Sequence, residues 1–141
     1  MSEIEVRLAR WQQDNAELRR IREAVFIAEQ AVTPELEWDA EDAAATHFLA
    51  YEGDYAIGTA RLLDDGQIGR VAVLKDWRGL NIGQALLAAV IAHAEQRGLT
   101  VQRLSAQVQA TAFYEKLGFC VVSAEYLDAG IPHVDMVRHQ P

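Results

Sequence analysis

The chain has 141 residues, half of which are hydrophobic, and it carries a formal net charge of −8. This length predicts one domain, residues 1–141, with one core, and the apolar content excludes a chain that stays disordered. The acidic balance disfavours a general affinity for nucleic acid or for anionic membranes, which needs a basic face. Because the sequence has neither a bilayer-spanning apolar run nor an N-terminal signal pattern, we expect a cytosolic protein.

The first half of the chain predicts one helix among strands. Ile4, Val6 and Leu8 alternate with charged residues, which is typical of a half-buried strand. Apolar residues then recur at helical spacing from about Asn15 to Glu29, and residues 31–46 are interpreted as an acidic loop. Three strands joined by tight turns follow, at His47–Glu52, Tyr55–Leu63 and Ile68–Leu74.

The second half predicts two helices and three strands. A long helix follows the loop Lys75–Leu80 and ends near Gly98, and a strand at Val101–Ala106 comes next. A shorter helix and two final strands are predicted at Gln109–Leu117, Phe119–Tyr126 and Val134–Arg138. Because the long helix is a crossover, the strands that it joins should be parallel. The pattern therefore predicts an α/β (α+β) fold with a mixed central sheet flanked by helices.

The most informative segment is Val71–Leu87, where a buried strand leads through a short loop with two glycines into a helix. The first N–H groups of a helix have no intrahelical partner, and the helix dipole favours an anion there. Arg78 adds a charged fork, so the segment suits a diphosphate. The alternative interpretation is that the two glycines only allow the chain to turn sharply into the helix and bind no ligand. The loop lacks the phosphate fingerprints of P-loop and dinucleotide-binding proteins, which disfavours a nucleotide-binding adaptor.

Two motifs carry a resemblance to a known family. The run Arg78-Gly79-Leu80-Asn81-Ile82-Gly83 resembles the acetyl-CoA-binding loop of the GNAT superfamily of N-acetyltransferases, with Asn81 where a glycine is usual. Asparagine tolerates left-handed backbone better than most residues, so we expect the turn to survive. The run Gln107–Phe119 is similar to a second hallmark of that family, with Gln107 where an asparagine is common.

Most of the chain shares this resemblance. The segments concerned look like the small bacterial ElaA/YjcF-type branch of the superfamily, and they are Val25–Gln30, Glu37–Asp39, His47–Ala50 and Gly130–Met136. The resemblance implies the GNAT fold and transfer of an acetyl group from acetyl-CoA to a primary amine of a small molecule or a peptide. It also implies direct attack of the amine within a ternary complex, without a metal.

The resemblance assigns roles on the cofactor side. Main-chain groups of Val71 and Val73 are expected to pair with the pantetheine arm, and the Val73 N–H to stabilise the oxyanion. Tyr114 is expected to protonate the departing CoA thiolate, although packing beside Phe113 is the alternative interpretation. The residues expected to contact the cofactor are Val71, Val73, Arg78, Gly79, Leu80, Asn81, Ile82, Gly83, Gln84, Gln107 and Tyr114.

The acceptor side is less determined. Candidates for the general base are Glu29, Asp39, His47 and His133, of which Glu29 is the predicted catalytic residue. Glu29, Asp39 and His133 are also expected to bind the amine, although a solvated carboxylate or a structural histidine is the alternative at each position. No spacing of His, Cys or Asp indicates a metal site, and the lone Cys120 is interpreted as a small core residue.

Two further hypotheses concern turnover and assembly. A CoA-binding regulatory module without turnover is the alternative function, kept open by the departures at Asn81 and Gln107. By analogy with the fold, the last strands are expected to pair across a homodimer. The sequence predicts neither the identity of the acceptor amine nor the acyl-chain preference.

Overall fold

A mixed sheet forms the centre of the molecule in the computed structural model, which describes residues 4–33, 37 and 40–141. The strands are β1 (Ile4–Ala9), β2 (Thr46–Glu52), β3 (Tyr55–Leu62), β4 (Gln67–Val73), β5 (Val101–Gln107), β6 (Cys120–Val121), β7 (Tyr126–Asp128) and β8 (Ile131–His139). Their order across the sheet is β1-β2-β3-β4-β5-β8-β6, and β7 pairs with β8. Among the described strands only β4 and β5 pair in parallel, so the predicted mixed sheet and its crossover are confirmed.

The helices lie where the periodicity predicts them, but their types differ. The first is α1 (Asn15–Arg22), which continues as a π-helical segment at Glu23–Glu29. The long crossover helix is α2 (Ile82–Gln96), preceded by a 3-10 turn at Lys75–Trp77. The last is α3 (Thr111–Glu115), which follows a 3-10 turn at Val108–Ala110. None of these helices is long and apolar enough to cross a membrane, within the part of the chain that the structure describes.

Two hydrophobic cores cover the two faces of the sheet. Neighbouring residues of a strand point to opposite faces, so Phe48 and Ala50 belong to one core and Leu49 to the other. The larger core packs under α2, which buries Leu86 and Val90. The smaller core packs under α1 and includes Leu18, Ile21 and Val25. The helices on the two faces therefore leave the edges of the strands free to form a site.

The sheet opens between β4 and β5. The parallel pairing joins Gln67 and Ile68 to Arg103 and Leu104, and no further pair connects the two strands. Beyond this point β4 stays paired with β3 up to Val73, and β5 stays paired with β8 up to Gln107. The two strands therefore separate towards their carboxyl ends and leave a groove with unpaired main chain on the β4 side.

A bulge in β4 lies beside this groove. Arg61 pairs with Gly69 and Thr59 pairs with Ala72, so Arg70 and Val71 together face a single residue of β3. Arg70 has φ +51°, in the left-handed region that a residue other than glycine occupies at a free-energy cost of roughly 1–2 kcal/mol. The bulge re-aims the side chains at the point where the strands part.

Gly58 of β3 fixes the distance between the sheet and the start of α2. A Cβ placed on Gly58 would lie 3.0 Å from Leu86 Cδ1 and 3.1 Å from the carbonyl oxygen of Ala72. The second of these atoms belongs to the backbone of β4 and cannot move aside cheaply. The absent side chain therefore lets the first turns of α2 pack directly on β3 and β4.

Three predictions in the last third of the chain differ from the structure. The predicted strand Phe119–Tyr126 is two short strands, because the Ser123 hydroxyl replaces a backbone partner and accepts the N–H of Asp135 at 2.8 Å. Cys120 is exposed rather than a core residue, because it lies on the edge strand β6. The predicted helix Gln109–Leu117 is also shorter, since its first turn is the 3-10 turn.

Candidate active site

A cavity of about 290 Å³ occupies the opening between β4 and β5. Four predicted site residues line it, namely Val71, Gln107, Tyr114 and His133. The walls combine main chain of the β4 bulge, the end of the π-helical segment and the turn between β7 and β8. The structure therefore brings together predicted cofactor residues and one predicted acceptor residue around one space.

Tyr114 lies in the cavity wall at the centre of an aromatic group. Its ring contacts Phe113 and Phe119 edge to face, at centroid distances of 5.0 and 6.0 Å. The side chain is 9% exposed, and its hydroxyl makes no hydrogen bond to any described residue. Burial raises the pKa of Tyr114 to about 12, so the phenol is neutral at physiological pH and can donate a hydrogen bond into the cavity.

His133 faces the cavity from the start of β8. Its Nδ1 lies 2.7 Å from the carbonyl oxygen of Ile131, and its ring stacks on Tyr126 at 6.1 Å. Because a carbonyl only accepts, Nδ1 carries the proton in the neutral ring and Nε2 has the lone pair. Nε2 makes no hydrogen bond to the described residues, so this nitrogen is available to a ligand.

The predicted phosphate loop lies at the carboxyl end of β4, beside the cavity rather than in its wall. Asn81 is the N-cap of α2 with φ +62°, so the asparagine adopts the left-handed conformation that a glycine usually supplies. Its side chain does not cap the helix, and the first intrahelical bond runs from the Ala85 N–H to the Asn81 carbonyl at 3.1 Å. The N–H groups of Ile82, Gly83 and Gln84 therefore have no intrahelical partner.

Gly83 lies against Phe113 of α3. A Cβ at this position would lie 3.4 Å from Cζ of Phe113, so α3 packs closely against the first turn of α2. Leu80, by contrast, is 58% exposed. The loop thus joins an exposed turn to a tightly packed helix start.

Main-chain groups of Val73 face the groove. The Leu74 N–H donates to the Ile57 carbonyl at 2.9 Å, and successive residues of an antiparallel strand alternate in direction. The polar groups of Val73 therefore point away from β3. Its carbonyl accepts a hydrogen bond from Nε of Arg78 at 3.0 Å.

Arg78 also forms a bidentate ion pair with Glu29, which we name the rim pair. Arg78 Nη1 and Nη2 donate to the two carboxylate oxygens of Glu29 at 2.9 and 2.7 Å. The side chains are 43% and 33% exposed. The hydrogen bonds and charge of Arg78 lower the pKa of the Glu29 carboxyl, so Glu29 is a weaker base while the pair is intact.

Beside the cavity lies what we name the buried cluster, formed by Arg22, Glu37, Asp42, Arg61 and Arg70. Arg22 Nε contacts Glu37 Oε2 at 2.6 Å, and Arg22 Nη1 contacts Asp42 Oδ1 at 2.9 Å. Arg61 Nη1 reaches the same Asp42 oxygen at 3.0 Å. Burial alone would raise the pKa of Asp42, but its arginine partners outweigh burial and lower it. The cluster ties Glu37 and Asp42, from the predicted acidic loop, to α1 and the sheet.

The remaining predicted residues have separate places. Gln107 exchanges side-chain amide hydrogen bonds with Gln30 at 2.9 and 3.4 Å. His47 is buried, stacks on Trp11 at 5.1 Å and does not line the cavity, and burial lowers its pKa. Asp39 lies outside the described residues. Within the described ranges no three His, Cys, Asp or Glu residues are grouped as metal ligands would be.

Several cavity residues were not predicted. Gln30, Glu37, Arg70, Ser105 and Asp128 all line the cavity. Alternation along β5 could have indicated Ser105, which shares a face of that strand with Gln107. Arg70, Gln30 and Asp128 reach the cavity from the bulge, the end of the π-helical segment and the end of β7, and no local pattern marks these three or Glu37.

Comparisons with known proteins give consistent similarities. The family model of the acetyltransferase (GNAT) domain matches residues 11–139. YjcF of Bacillus subtilis, described as an uncharacterized N-acetyltransferase, is 38% identical over 122 residues, which cover 84% of this chain and 87% of that protein. The crystal structure of Escherichia coli ElaA superposes with a TM-score of 0.86 at 29% identity, covering 97% of this chain and 100% of that one. An acyl-CoA N-acyltransferase from Pseudomonas aeruginosa gives a TM-score of 0.85 at 30% identity, covering 96% and 99%.

Proposed function

The chain belongs to the GNAT acetyltransferase family, and from that premise we propose that it transfers the acetyl group of acetyl-CoA to a primary amine of a small molecule. The observation that carries the proposal is the opening between β4 and β5, with the Tyr114 hydroxyl in the wall of its cavity. The groove offers the outward-facing main chain of Val73 on one side and the start of α2 at its end. A peptide amine is the variant acceptor.

In this proposal the cofactor is held mainly by main-chain groups. The pantetheine arm pairs with β4 at Val71 and Val73, as an added strand would. The pyrophosphate lies at the N–H groups of residues 82–84, where the dipole of α2 favours an anion, and Arg78, Gly79, Leu80 and Asn81 form the turn around it. Gln107 closes the other side of the groove.

The chemical step is a direct attack within a ternary complex. The amine nitrogen attacks the thioester carbonyl, and the Val73 N–H stabilises the oxyanion that develops. Tyr114 donates to the departing sulfur. A thiol has a reference pKa near 8.5, so full proton transfer from a phenol of pKa about 12 to a free thiolate is uphill. The contribution of Tyr114 is therefore a hydrogen bond that strengthens as charge develops on sulfur.

Of the described candidates for the general base, His133 is the better placed. Its Nε2 carries a lone pair towards the cavity, whereas the carboxylate of Glu29 is engaged with Arg78. Glu29 could serve once Arg78 turns to the phosphates, and it lies beside Gln30 of the cavity wall.

A Tyr114→Phe variant tests the proposal. We expect kcat for CoA release with acetyl-CoA and an amine to fall about ten- to a hundredfold, because a hydrogen bond to a charged group contributes about 1.5–3 kcal/mol. CoA affinity, measured by calorimetry, should change little, because the phenol acts on the sulfur and the loop holds the phosphates. A broad amine panel that gives no turnover despite firm CoA binding would favour the alternative, a CoA-binding regulatory module.

The proposal extends to the compartment and to assembly. We propose that the protein works in the cytosol, where acetyl-CoA is available and an exposed thiol such as Cys120 stays reduced. The edge strand β6 with Val121 and the neighbouring Val122, 44% and 60% exposed, is where a second copy would pair. Sedimentation analysis of wild type and a Val122→Lys variant would test the homodimer.

A further inference from the structure

Three side chains from three strands form a hydrogen-bonded chain along the cavity wall. Ser105 of β5 lies opposite Asp135 of β8 in the antiparallel register. The Tyr126 hydroxyl of β7 lies within hydrogen-bond distance of Ser105 Oγ and donates to Asp135 Oδ1 at 2.6 Å. Ser105 lines the cavity, whereas Tyr126 and Asp135 do not, and Asp135 is exposed to solvent. None of the three was expected to have a role from the sequence.

The order of donors in this chain is fixed by its last member. An ionised carboxylate only accepts hydrogen bonds, so the Tyr126 proton points to Asp135. The Tyr126 oxygen then accepts the hydroxyl proton of Ser105. The lone pairs of Ser105 Oγ are left for the cavity, so Ser105 presents an acceptor there.

His133 adds a second acceptor beside the first. Its ring stacks on Tyr126, the central member of the chain, with an interplanar angle of 25°. The side chain is 9% exposed, and its Nε2 lone pair makes no hydrogen bond to the described residues. Two acceptors directed into one space suit a ligand group with at least two N–H donors.

The local charge matches such a group. Asp128 also lines the cavity, and Asp135 terminates the chain. Burial raises the pKa of Tyr126, and the hydrogen bond to Asp135 and the charges of Asp135 and Asp128 raise it further. This end of the cavity therefore has a negative potential, which attracts a cation.

We propose that Ser105 and His133 bind the primary ammonium group of the acceptor, with Tyr126 and Asp135 as the residues that position them. This inference rests on the proposed function, whose acceptor site it identifies. Neither a quaternary ammonium ion nor an alcohol meets the requirement, because the site needs a cation with several N–H donors.

The same arrangement gives a balanced reaction. His133 Nε2 takes one proton from the ammonium group, and the freed lone pair forms the N–C bond with the thioester carbonyl. The C–S bond breaks and its electron pair leaves with sulfur. The nitrogen loses a second proton on becoming an amide, and the thiolate takes up one proton to become the CoA thiol. Ser105 holds the remaining N–H during the attack and so orients the lone pair.

The test uses CoA-loaded protein and ethylammonium as the probe, followed by nuclear magnetic resonance shifts of cavity residues. Ser105→Ala should raise the dissociation constant of ethylammonium about tenfold, the effect of one hydrogen bond to a charged group. Asp135→Asn should raise it about three- to tenfold. Glu125→Gln is the matched control, since Glu125 is an exposed acid next to Tyr126 and outside the chain, and it should stay within about twofold. Tetramethylammonium, a cation without N–H groups, should give no saturable shift.

Two results would overturn the inference. One is an equal effect of Asp135→Asn and Glu125→Gln, which would mean general surface charge. The other is saturation of the same residues by tetramethylammonium, which would mean that N–H donors are not recognised. Unchanged CoA affinity in Ser105→Ala and Asp135→Asn verifies that both variants are folded.

Turnover separates this inference from the proposed function. If Ser105→Ala and Asp135→Asn acetylate ethylamine with an unchanged KM, the proposed ammonium site is wrong but the proposed acetyltransferase function stands. If ethylammonium binds at Ser105 and His133 but no amine is acetylated, the proposed acetyltransferase function is wrong but the proposed ammonium site stands.

Discussion

The buried cluster and the rim pair use the same chemistry for different purposes. Both attach the first helix and its π-helical continuation to the rest of the molecule, through Arg22 in one case and Glu29 in the other. Arg22 is fully buried, whereas the side chain of Arg78 is 43% exposed. An ion pair in the interior is costly to break because it leaves charge uncompensated, while an exposed pair contributes little. The first can hold a wall of the cavity permanently, and the second can be exchanged for a ligand.

The largest expected effect comes from breaking the buried cluster. Asp42→Asn weakens the compensation of two buried guanidinium groups, those of Arg22 and Arg61, and should lower the free energy of unfolding by about 3–5 kcal/mol. Urea denaturation measures it. Asp64→Asn is the control, because Asp64 pairs with Arg97 at 3.0 Å but its side chain is 72% exposed, and the change should stay below about 1 kcal/mol. Equal losses in the two variants would contradict the comparison.

The rim should respond in binding rather than in stability. Arg78→Gln removes the charged fork beside the start of α2, and we expect CoA to bind about tenfold more weakly, equivalent to about 1.4 kcal/mol. The free energy of unfolding should change by less than about 0.5 kcal/mol. Calorimetry and denaturation of the same sample measure the two quantities. A large loss of stability with unchanged CoA affinity would make the rim pair structural.

The turn at the rim contains one left-handed residue that is not a glycine, Asn81. Asn81→Ala should lower the free energy of unfolding by about 1 kcal/mol, because alanine tolerates φ +62° less well than asparagine does. Asn81→Gly relieves the conformation and should leave stability unchanged or slightly higher. Thermal unfolding of both variants checks the sign. A loss with glycine as large as that with alanine would mean that the asparagine side chain matters more than its backbone.

The smallest effect is also the sharpest test of exchange at the rim. In the proposed function Glu29 and the cofactor phosphates compete for Arg78, so Glu29→Gln should tighten CoA binding about two- to fivefold, the range of an exposed pair. A pair that instead holds the loop ready for the cofactor predicts the opposite sign, weaker binding in Glu29→Gln. In Glu29→Gln/Arg78→Gln the gain should vanish, because the competitor and its target are both gone.

The backbone of the proposed cofactor site could be predicted from the sequence because it is contiguous. A buried strand, a glycine-containing loop and a helix follow one another within Val71–Leu87, and the left-handed conformation expected to be tolerated at Asn81 is confirmed. The mixed sheet and the parallel crossover follow from the same local periodicity. The roles of Tyr114 and Val73 in catalysis stay predictions.

At the proposed acceptor site only His133 was predicted from the sequence, because the other residues are joined to it only by tertiary structure. Tyr126 lies 21 residues from Ser105 and 9 from Asp135, and the pairing of β7 and β5 with β8 brings them together. In the sequence Glu37 and Asp42 resemble any solvated carboxylates of an acidic loop. Only the structure shows that both bind the buried Arg22. Cys120 shows the same limit, since an apolar run does not reveal which strand lies at an edge.

If the chain binds CoA as proposed, Gly58 has a consequence for the affinity of that binding. Its missing side chain leaves room for Leu86 and Ile82, which belong to the first turns of α2. Any larger residue would lift that end of the helix away from the strands, and the amide groups of residues 82–84 would shift with it. Gly58, a residue of β3 that lies against the helix, would therefore set the position of the main-chain amides proposed to bind the phosphates.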